Sequence, residues 1–238
     1  MELSVVIPAK NEAQNVAPLI HEIIDVLNGV AEFEIVYVDD GSDDRTINEL
    51  YKIIDAGFDC IQPVRHKVSV GQSTAIMSGV KAASGELIVT MDADGQNDPA
   101  DIPKLLSAAR GLVQGSDYCV AGYRRRRKDT PWKRFQSKVA NGVRARLLGD
   151  GTPDTGCGLK IIPKHTFMKL PYFDHMHRYI PALVKRIHGQ VIVIEVNHRD
   201  RQAGESKYNM LGRLRVGVVD IFGVLWLQRR VKVAEYLD

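Results

Sequence analysis

Cysteine is scarce and scattered. Cys60, Cys119 and Cys157 lie far apart, without the close spacing of a thiolate metal site or a disulfide framework. Three thiols cannot all pair, so each reads as packing and a reducing, cytosolic compartment is expected. Long apolar runs are missing too. The longest nearly apolar stretch, Val216 to Leu227, is interrupted by Asp220 and is shorter than the ~20 residues that cross a bilayer. Leu3 to Ile7 is too short for a secretory leader, and Glu2 stands where such a leader is basic, so none is expected. No G-x-x-x-x-G-K-[ST] is present and no G-x-G-x-x-G follows the first apolar run. Their absence disfavours a P-loop and a dinucleotide-binding fold. Aromatic residues make up only 7%, and few interleave the basic run described below. That argues against a nucleic-acid partner. No internal repeat, low-complexity tract or clear linker divides the chain.

What is present suits one large α/β domain. The 238 residues can enclose a sizeable core, and 45% hydrophobic with 26% charged residues is ordinary for a globular protein. The net charge of +3 is unevenly distributed. Residues 1–60 hold 13 acidic and 3 basic side chains, whereas 124–146 hold 10 basic ones and a single acid, Asp129. Such asymmetry points to one surface that meets an anion, against the alternative of a solvated basic face. Strand and helix patterns alternate through the first half. Strands are expected at 3–7, 34–38, 60–64, 87–91 and 118–121, and helices at 13–27, 44–56, 72–83 and 100–112. This rhythm predicts a mainly parallel sheet covered on both faces. Beyond residue 122 the spacing predicts a basic amphipathic helix at 131–148, a helix at 178–188, a strand at 191–196 and a long amphipathic helix at 209–230. Residues 1–210 are expected to form the main domain and 211–238 a helical elaboration of the same unit.

The polar clusters fall where parallel sheets gather ligands, after the carboxyl ends of strands. Pro8-Ala-Lys-Asn-Glu12 follows the first strand, Asp39-Asp40-Gly41-Ser42 the second and Asp92-Ala-Asp94 the fourth. Side chains two apart on an extended chain point the same way, so Asp92 and Asp94 crowd two negative charges together. A polar turn closing a buried strand is one reading. The other is a hard divalent cation, which takes oxygen ligands and often completes its shell with substrate phosphates. On that reading Asp39 and Asp40 accept from a nucleobase N–H and a ribose hydroxyl, and Glu12 holds ribose. His175-Met-His177 lacks further ligand spacing, so it reads as loop surface and not as a metal site.

Ser4-Val-Val-Ile-Pro-Ala-Lys-Asn-Glu12, Glu34-Ile-Val-Tyr-Val-Asp-Asp-Gly-Ser42 and Met91-Asp-Ala-Asp-Gly-Gln96 resemble the family 2 glycosyltransferases of the GT-A fold. The stretch Gly71-Gln-Ser-Thr-Ala-Ile-Met-Ser-Gly79 resembles a helix of the dolichol-phosphate mannose synthase group. Gly122-Tyr-Arg124, Asp154-Thr-Gly-Cys-Gly158 and Arg201-Gln-Ala-Gly-Glu-Ser-Lys207 are similar to that group as well. The resemblance spans roughly residues 3–210. It implies that Pro8, Glu12 and Asp39 line a nucleoside pocket and that Asp40 lies near ribose or diphosphate. It also implies that Asp92, Asp94 and Gln96 hold Mg²⁺ or Mn²⁺. Arg124 and Ser206 would meet an acceptor phosphate, and Arg201 with Lys207 would close over the phosphates. Two departures stand out: Ala9-Lys10 where Tyr or Phe commonly precedes Asn-Glu, and Cys-Gly-Leu-Lys at 157–160 where mannose synthases often carry Phe and Arg. The Q-x-x-R-W of processive polysaccharide synthases is absent.

The resemblance therefore implies an inverting transfer of a sugar from a UDP- or GDP-linked donor to a polyprenyl phosphate. The enzyme would sit in the cytoplasm, peripheral at the inner face of the membrane, and a homo-oligomer is compatible with its apolar tail. The alternative acceptor is a hydroxyl in glycan or lipid A biosynthesis, oriented by Asp154. Rival readings are a nucleotidyltransferase, which would show a Gly-rich loop after the first strand, and a non-catalytic module binding membrane or nucleic acid through 124–146.

Overall fold

The computed structural model describes residues 1–124, 142, 144–200 and 210–232, with the backbone alone for 210–216. In chain order the elements begin with β1 (Leu3–Ala9), α1 (Ala13–Leu27), β2 (Phe33–Asp39), α2 (Thr46–Asp55), β3 (Ile61–Arg65), α3 (Gln72–Ala82) and β4 (Leu87–Thr90). A 3₁₀ turn at Pro99–Asp101 leads into α4 (Ile102–Arg110), followed by β5 (Tyr118–Tyr123), β6 (Lys160–Pro163) and α5 (Lys164–Met168). A second 3₁₀ turn at Met176–Arg178 precedes α6 (Ile180–Arg186), β7 (Gln190–Glu195) and α7 (Met210–Arg229).

The strands form one sheet of seven in the order β3-β2-β1-β4-β6-β5-β7. β1, β2, β3 and β4 run parallel, as do β5 and β7. β6 runs against both its neighbours, pairing Thr90 with Lys160 on one side and Ala121 with Lys160 on the other. The expected mainly parallel sheet is present, flanked by helices. The sequence pattern did not show β6, because Lys160–Pro163 is four residues long and opens on a lysine. Strands buried on both faces read as continuous apolar runs, and Ser4–Ile7 and Ile35–Val38 are fully buried.

Alternation along β1 feeds two cores. Leu3, Val5 and Ile7 pack toward α1, α2 and α4, and Val6 packs with Val36 and Val38 toward α3, α6 and α7. α3 approaches the sheet closely because Gly79 has no side chain. A Cβ there would strike the side chains of Val6 and Val38. β1 borders both β2 and β4, with crossovers leaving in opposite directions. That switch opens a crevice at the carboxyl ends of the strands.

Most of the basic 124–146 segment lies outside the described residues. Three of its cations are described: Arg146 is exposed, and the other two point inward. Arg124 is 8% and Arg144 5% exposed. Arg144 pairs with Asp150 at 3.1 Å and donates to the Thr152 carbonyl at 2.6 Å. These two side chains are thus paired inside the protein and are not spread over its surface. The C-terminal helix is continuous through Gly212, Gly217 and Gly223. Its inner face seats Val224 fully buried with Ile221, Leu225 and Leu227 against the second core. Its outer face is apolar too, exposing Val218, Val219, Phe222 and Trp226. No helix among the described residues is long and apolar enough to cross a membrane.

Candidate active site

The loops after β1, β2 and β4 are tied to one another before any ligand enters. Asn11 adopts a left-handed φ of 58°, a conformation that Asn tolerates better than most residues. There its amide donates to Asp43 at 2.5 Å and accepts the Asp43 N–H at 3.0 Å, while its own N–H meets Ser42 Oγ at 2.9 Å. The Glu12 N–H donates to Thr46 Oγ1 at 2.8 Å, and the Glu12 carboxylate accepts from Asn15 at 2.7 Å. After β4 the chain closes on itself. The Asp92 N–H reaches the Asn97 side-chain oxygen, and the Gln96 N–H reaches Asp94 Oδ1, both at 3.1 Å. Gly95 supplies the positive φ of 72° that this turn needs.

These loops border a cavity of about 780 Å³, within the usual range for a small-molecule site. Pro8, Glu12, Asp40, Asp92, Asp94, Gln96 and Arg124 all line it. Asp39 stands behind that wall, 2% exposed, accepting the Ser42 N–H at 3.1 Å with Arg65 Nε 3.8 Å away. Asp40 lines the cavity, but its oxygens already hold the 66–71 loop. It accepts from Ser69 Oγ at 2.8 Å and from the Val70 and Gly71 N–H groups at 3.0 Å. His66 lies 2.7 Å away, with Ser78 Oγ on its other ring nitrogen at 2.9 Å. Burial raises the Asp40 pKa, but the His66, Val70, Ser69 and Gly71 contacts outweigh it and hold the carboxyl below its usual range. Arg201, Ser206 and Lys207 lie outside the described residues.

Asp92 is held from two sides. Gln72, at the start of α3, donates to its Oδ1 at 2.8 Å. Gly158 lies flat against it, and a Cβ at 158 would strike the carboxylate. The Gly158 carbonyl is held by Thr90 Oγ1 at 2.7 Å. Burial and then the charge of Asp94 push the Asp92 pKa up, while Lys160, Arg124 and Gln72 pull it back. Arg124 meets Asp154 as a bidentate fork, Nε to Oδ2 at 2.7 Å and Nη2 to Oδ1 at 3.0 Å. Burial lowers the guanidinium pKa, but Asp154 more than restores it, so the arginine stays charged.

Sequence reasoning did not assign roles to Gln72, Lys160 or His177. All three line the cavity. Lys160 arrives through β6, whose direction only pairing decides. His175 and His177 point to different elements. His175 faces Asp220 of α7 at 3.4 Å, and His177 Nδ1 meets Ser73 Oγ of α3 at 2.8 Å. Among the described residues no group of three or more His, Cys, Asp or Glu side chains is arranged to hold a metal. Asp92, Asp94 and Gln96 still offer hard oxygen donors on one wall. Two carboxylates and an amide suit a small divalent ion that completes its shell with phosphate oxygens.

A family model, Glycosyl transferase family 2, matches residues 4–170. The chain belongs to glycosyl transferase family 2. Its match to this family covers β1 through α5 and takes in both aspartate loops. Among curated proteins, the dodecaprenyl-phosphate galacturonate synthase of Rhizobium johnstonii is 33% identical over 233 residues, 96% of this chain and 68% of that protein. The undecaprenyl-phosphate 4-deoxy-4-formamido-L-arabinose transferase of Proteus mirabilis is 32% identical, over 88% of this chain and 64% of its own length. The chain thus spans about two thirds of these family members. Among solved structures, a mannosyltransferase from Pyrobaculum calidifontis in complex with GDP-Man and Mn²⁺ superposes with a TM-score of 0.71 at 18% identity, over 98% of this chain and 66% of that one. Glucosyl-3-phosphoglycerate synthase from Mycobacterium tuberculosis, in complex with Mn²⁺, UDP-Glc and glycerol 3-phosphate, gives 0.67 at 19% identity, over 98% and 82%. At such identities these two show the fold, a GT-A glycosyltransferase sheet.

Proposed function

We propose that this chain transfers a sugar, with inversion, from a nucleoside diphosphate sugar to a polyprenyl phosphate. The observation that carries the reading is the convergence of Asp92, Asp94 and Gln96 on the cavity that Pro8, Glu12 and Asp40 also line. A divalent cation, Mg²⁺ or Mn²⁺, held by Asp92, Asp94 and Gln96 would supply Lewis-acid stabilisation of the leaving diphosphate. The chain's own residues do the rest. Gln72 and Gly158 fix the orientation of Asp92. Pro8 and Glu12 line the nucleoside end. Arg124, immobilised by Asp154, presents a permanent positive charge to the acceptor phosphate. Arg201, Ser206 and Lys207 complete the phosphate contacts in this reading.

A phosphate monoester is already ionised near neutral pH, so its oxygen attacks the anomeric carbon without a strong general base. The bond from that carbon to the diphosphate breaks as the new one forms, and catalysis rests on positioning and charge. The Arg124–Asp154 pair favours this acceptor over a hydroxyl. Both Asp154 oxygens accept from Arg124, so the carboxylate is poorly placed to take a hydroxyl proton. The names of the 33% and 32% identical relatives point the same way. In this reading the acceptor's bilayer meets the outer face of α7, where Val218, Val219, Phe222 and Trp226 are exposed, and the enzyme works at the inner membrane face.

The test is transfer to undecaprenyl phosphate, with calorimetric titration of UDP and GDP in the presence and absence of Mn²⁺. Metal-dependent binding of one nucleotide and lipid-linked product are expected. Asp94→Asn should lower turnover by orders of magnitude while preserving the fold. Near-normal turnover of that variant in saturating metal rejects the assignment.

A further inference from the structure

Lys160 opens β6 at the cavity edge, opposite Thr90 of β4, and is 3% exposed. An ammonium has three donors. Here one goes to the Cys157 carbonyl, and among the described residues the carboxylate it acts on is Asp92, which it reaches through space without a direct ion pair. Burying a charge is expensive unless it is paired. The other buried cations of this half of the molecule obey that rule, Arg124 with Asp154 and Arg144 with Asp150. Lys160 departs from it, and it faces a cavity.

His177 also lines this cavity, near enough for the Lys160 charge to act on its ring. The His177 backbone N–H reaches Ser73 Oγ at 3.4 Å, and Ser73 Oγ lies 2.8 Å from Nδ1. A hydroxyl that accepts from the backbone gives its single proton to Nδ1, which leaves the ring proton on Nε2. Burial pushes this imidazole down to about 3, helped by Arg178 and Lys160. His177 is therefore a neutral N–H donor at any working pH.

We propose that Lys160 and His177 form an oxyanion subsite for the transferred sugar, and that the donor is a nucleoside diphosphate uronic acid whose carboxylate pairs with the Lys160 ammonium. This rests on the glycosyl-transfer reading above. The sugar is bonded directly to the diphosphate, so it lies next to the Asp92 loop, where Lys160 stands. Neutral hydroxyls accept hydrogen bonds but give the buried ammonium no counter-charge in direct contact. A carboxylate supplies acceptors and charge together.

Two donor pairs differ only in CH₂OH against carboxylate: UDP-galactose with UDP-galacturonate, and GDP-mannose with GDP-mannuronate. With undecaprenyl phosphate and Mn²⁺, the wild type should prefer the uronate of the accepted nucleotide by at least about 100-fold in kcat/KM. Lys160→Met, checked for folding by its melting temperature, should bring that ratio near unity and leave the KM for undecaprenyl phosphate unchanged. Transfer from neutral and uronate donors at similar rates by the wild type overturns the subsite alone. So does a Lys160→Met enzyme that keeps its ratio but raises the acceptor KM, since the anion is then the acceptor phosphate. Failure of all four donors removes glycosyl transfer itself, and the subsite with it.

Discussion

Asp92 is oriented by neighbours that no linear motif connects to it. Gly158 is one, since its missing Cβ is the space the carboxylate occupies. Gly158→Ala should therefore displace Asp92, raise the Mn²⁺ concentration for half-maximal rate and reduce turnover at least about tenfold. Initial rates across a metal titration check this; unchanged metal dependence removes Gly158 from the site. His177 gives a pH signature. Its pKa is about 3 in the fold against about 6.5 in an unfolded chain. Between those values the unfolded state binds the extra proton, so stability falls as pH drops through that window. Urea midpoints at pH 7 and pH 5 should fall further for the wild type than for His177→Gln. Equal losses would show that His177 is not buried neutral.

At the scale of elements, α3 serves core and site at once. Gly79 seats it against Val6 and Val38, while Gln72 at its first turn reaches Asp92. Adding a methyl at 79 overpacks that contact, so Gly79→Ala should cost about 1–3 kcal/mol in urea unfolding and also lower activity. Full stability in that variant would show that the helix can back away freely. The β1, β2 and β4 ends were legible because buried parallel strands are continuous apolar runs that stop abruptly at Pro8, Asp39 and Asp92. β6 was not, because strand Lys160–Pro163 is shorter than any periodicity and gains its hydrogen bonds from β4 and β5. The partners of His175 and His177, read as loop surface, were not legible for the same reason. Two residues on one short turn serve α7 and α3 separately, and spacing carries no trace of that.

For the whole molecule, the outer face of α7 is the apolar surface that needs a cover. Val218, Val219, Phe222 and Trp226 follow one stripe, and Arg230 lies 5.9 Å from the Trp226 ring centroid. An apolar stripe bordered by an arginine and a tryptophan fits the headgroup region of a bilayer. The chain should float with anionic liposomes at low salt and lose most of that binding in Phe222→Ser/Trp226→Ser. A dimer that ignores liposomes and dissociates in the double variant would make the stripe a subunit contact.

The sequence by itself determined the family, the α/β rhythm and the strand-end carboxylates, since each is local: an apolar run, a turn and the acids that follow it. Only the tertiary structure decided which partner each charge has. It paired Arg124 with Asp154 and Arg144 with Asp150, set Asp40 to hold a loop, and brought Lys160 to the cavity on a reversed strand. The cause is burial, which makes every charge depend on a partner, and partners are chosen in space and not along the chain.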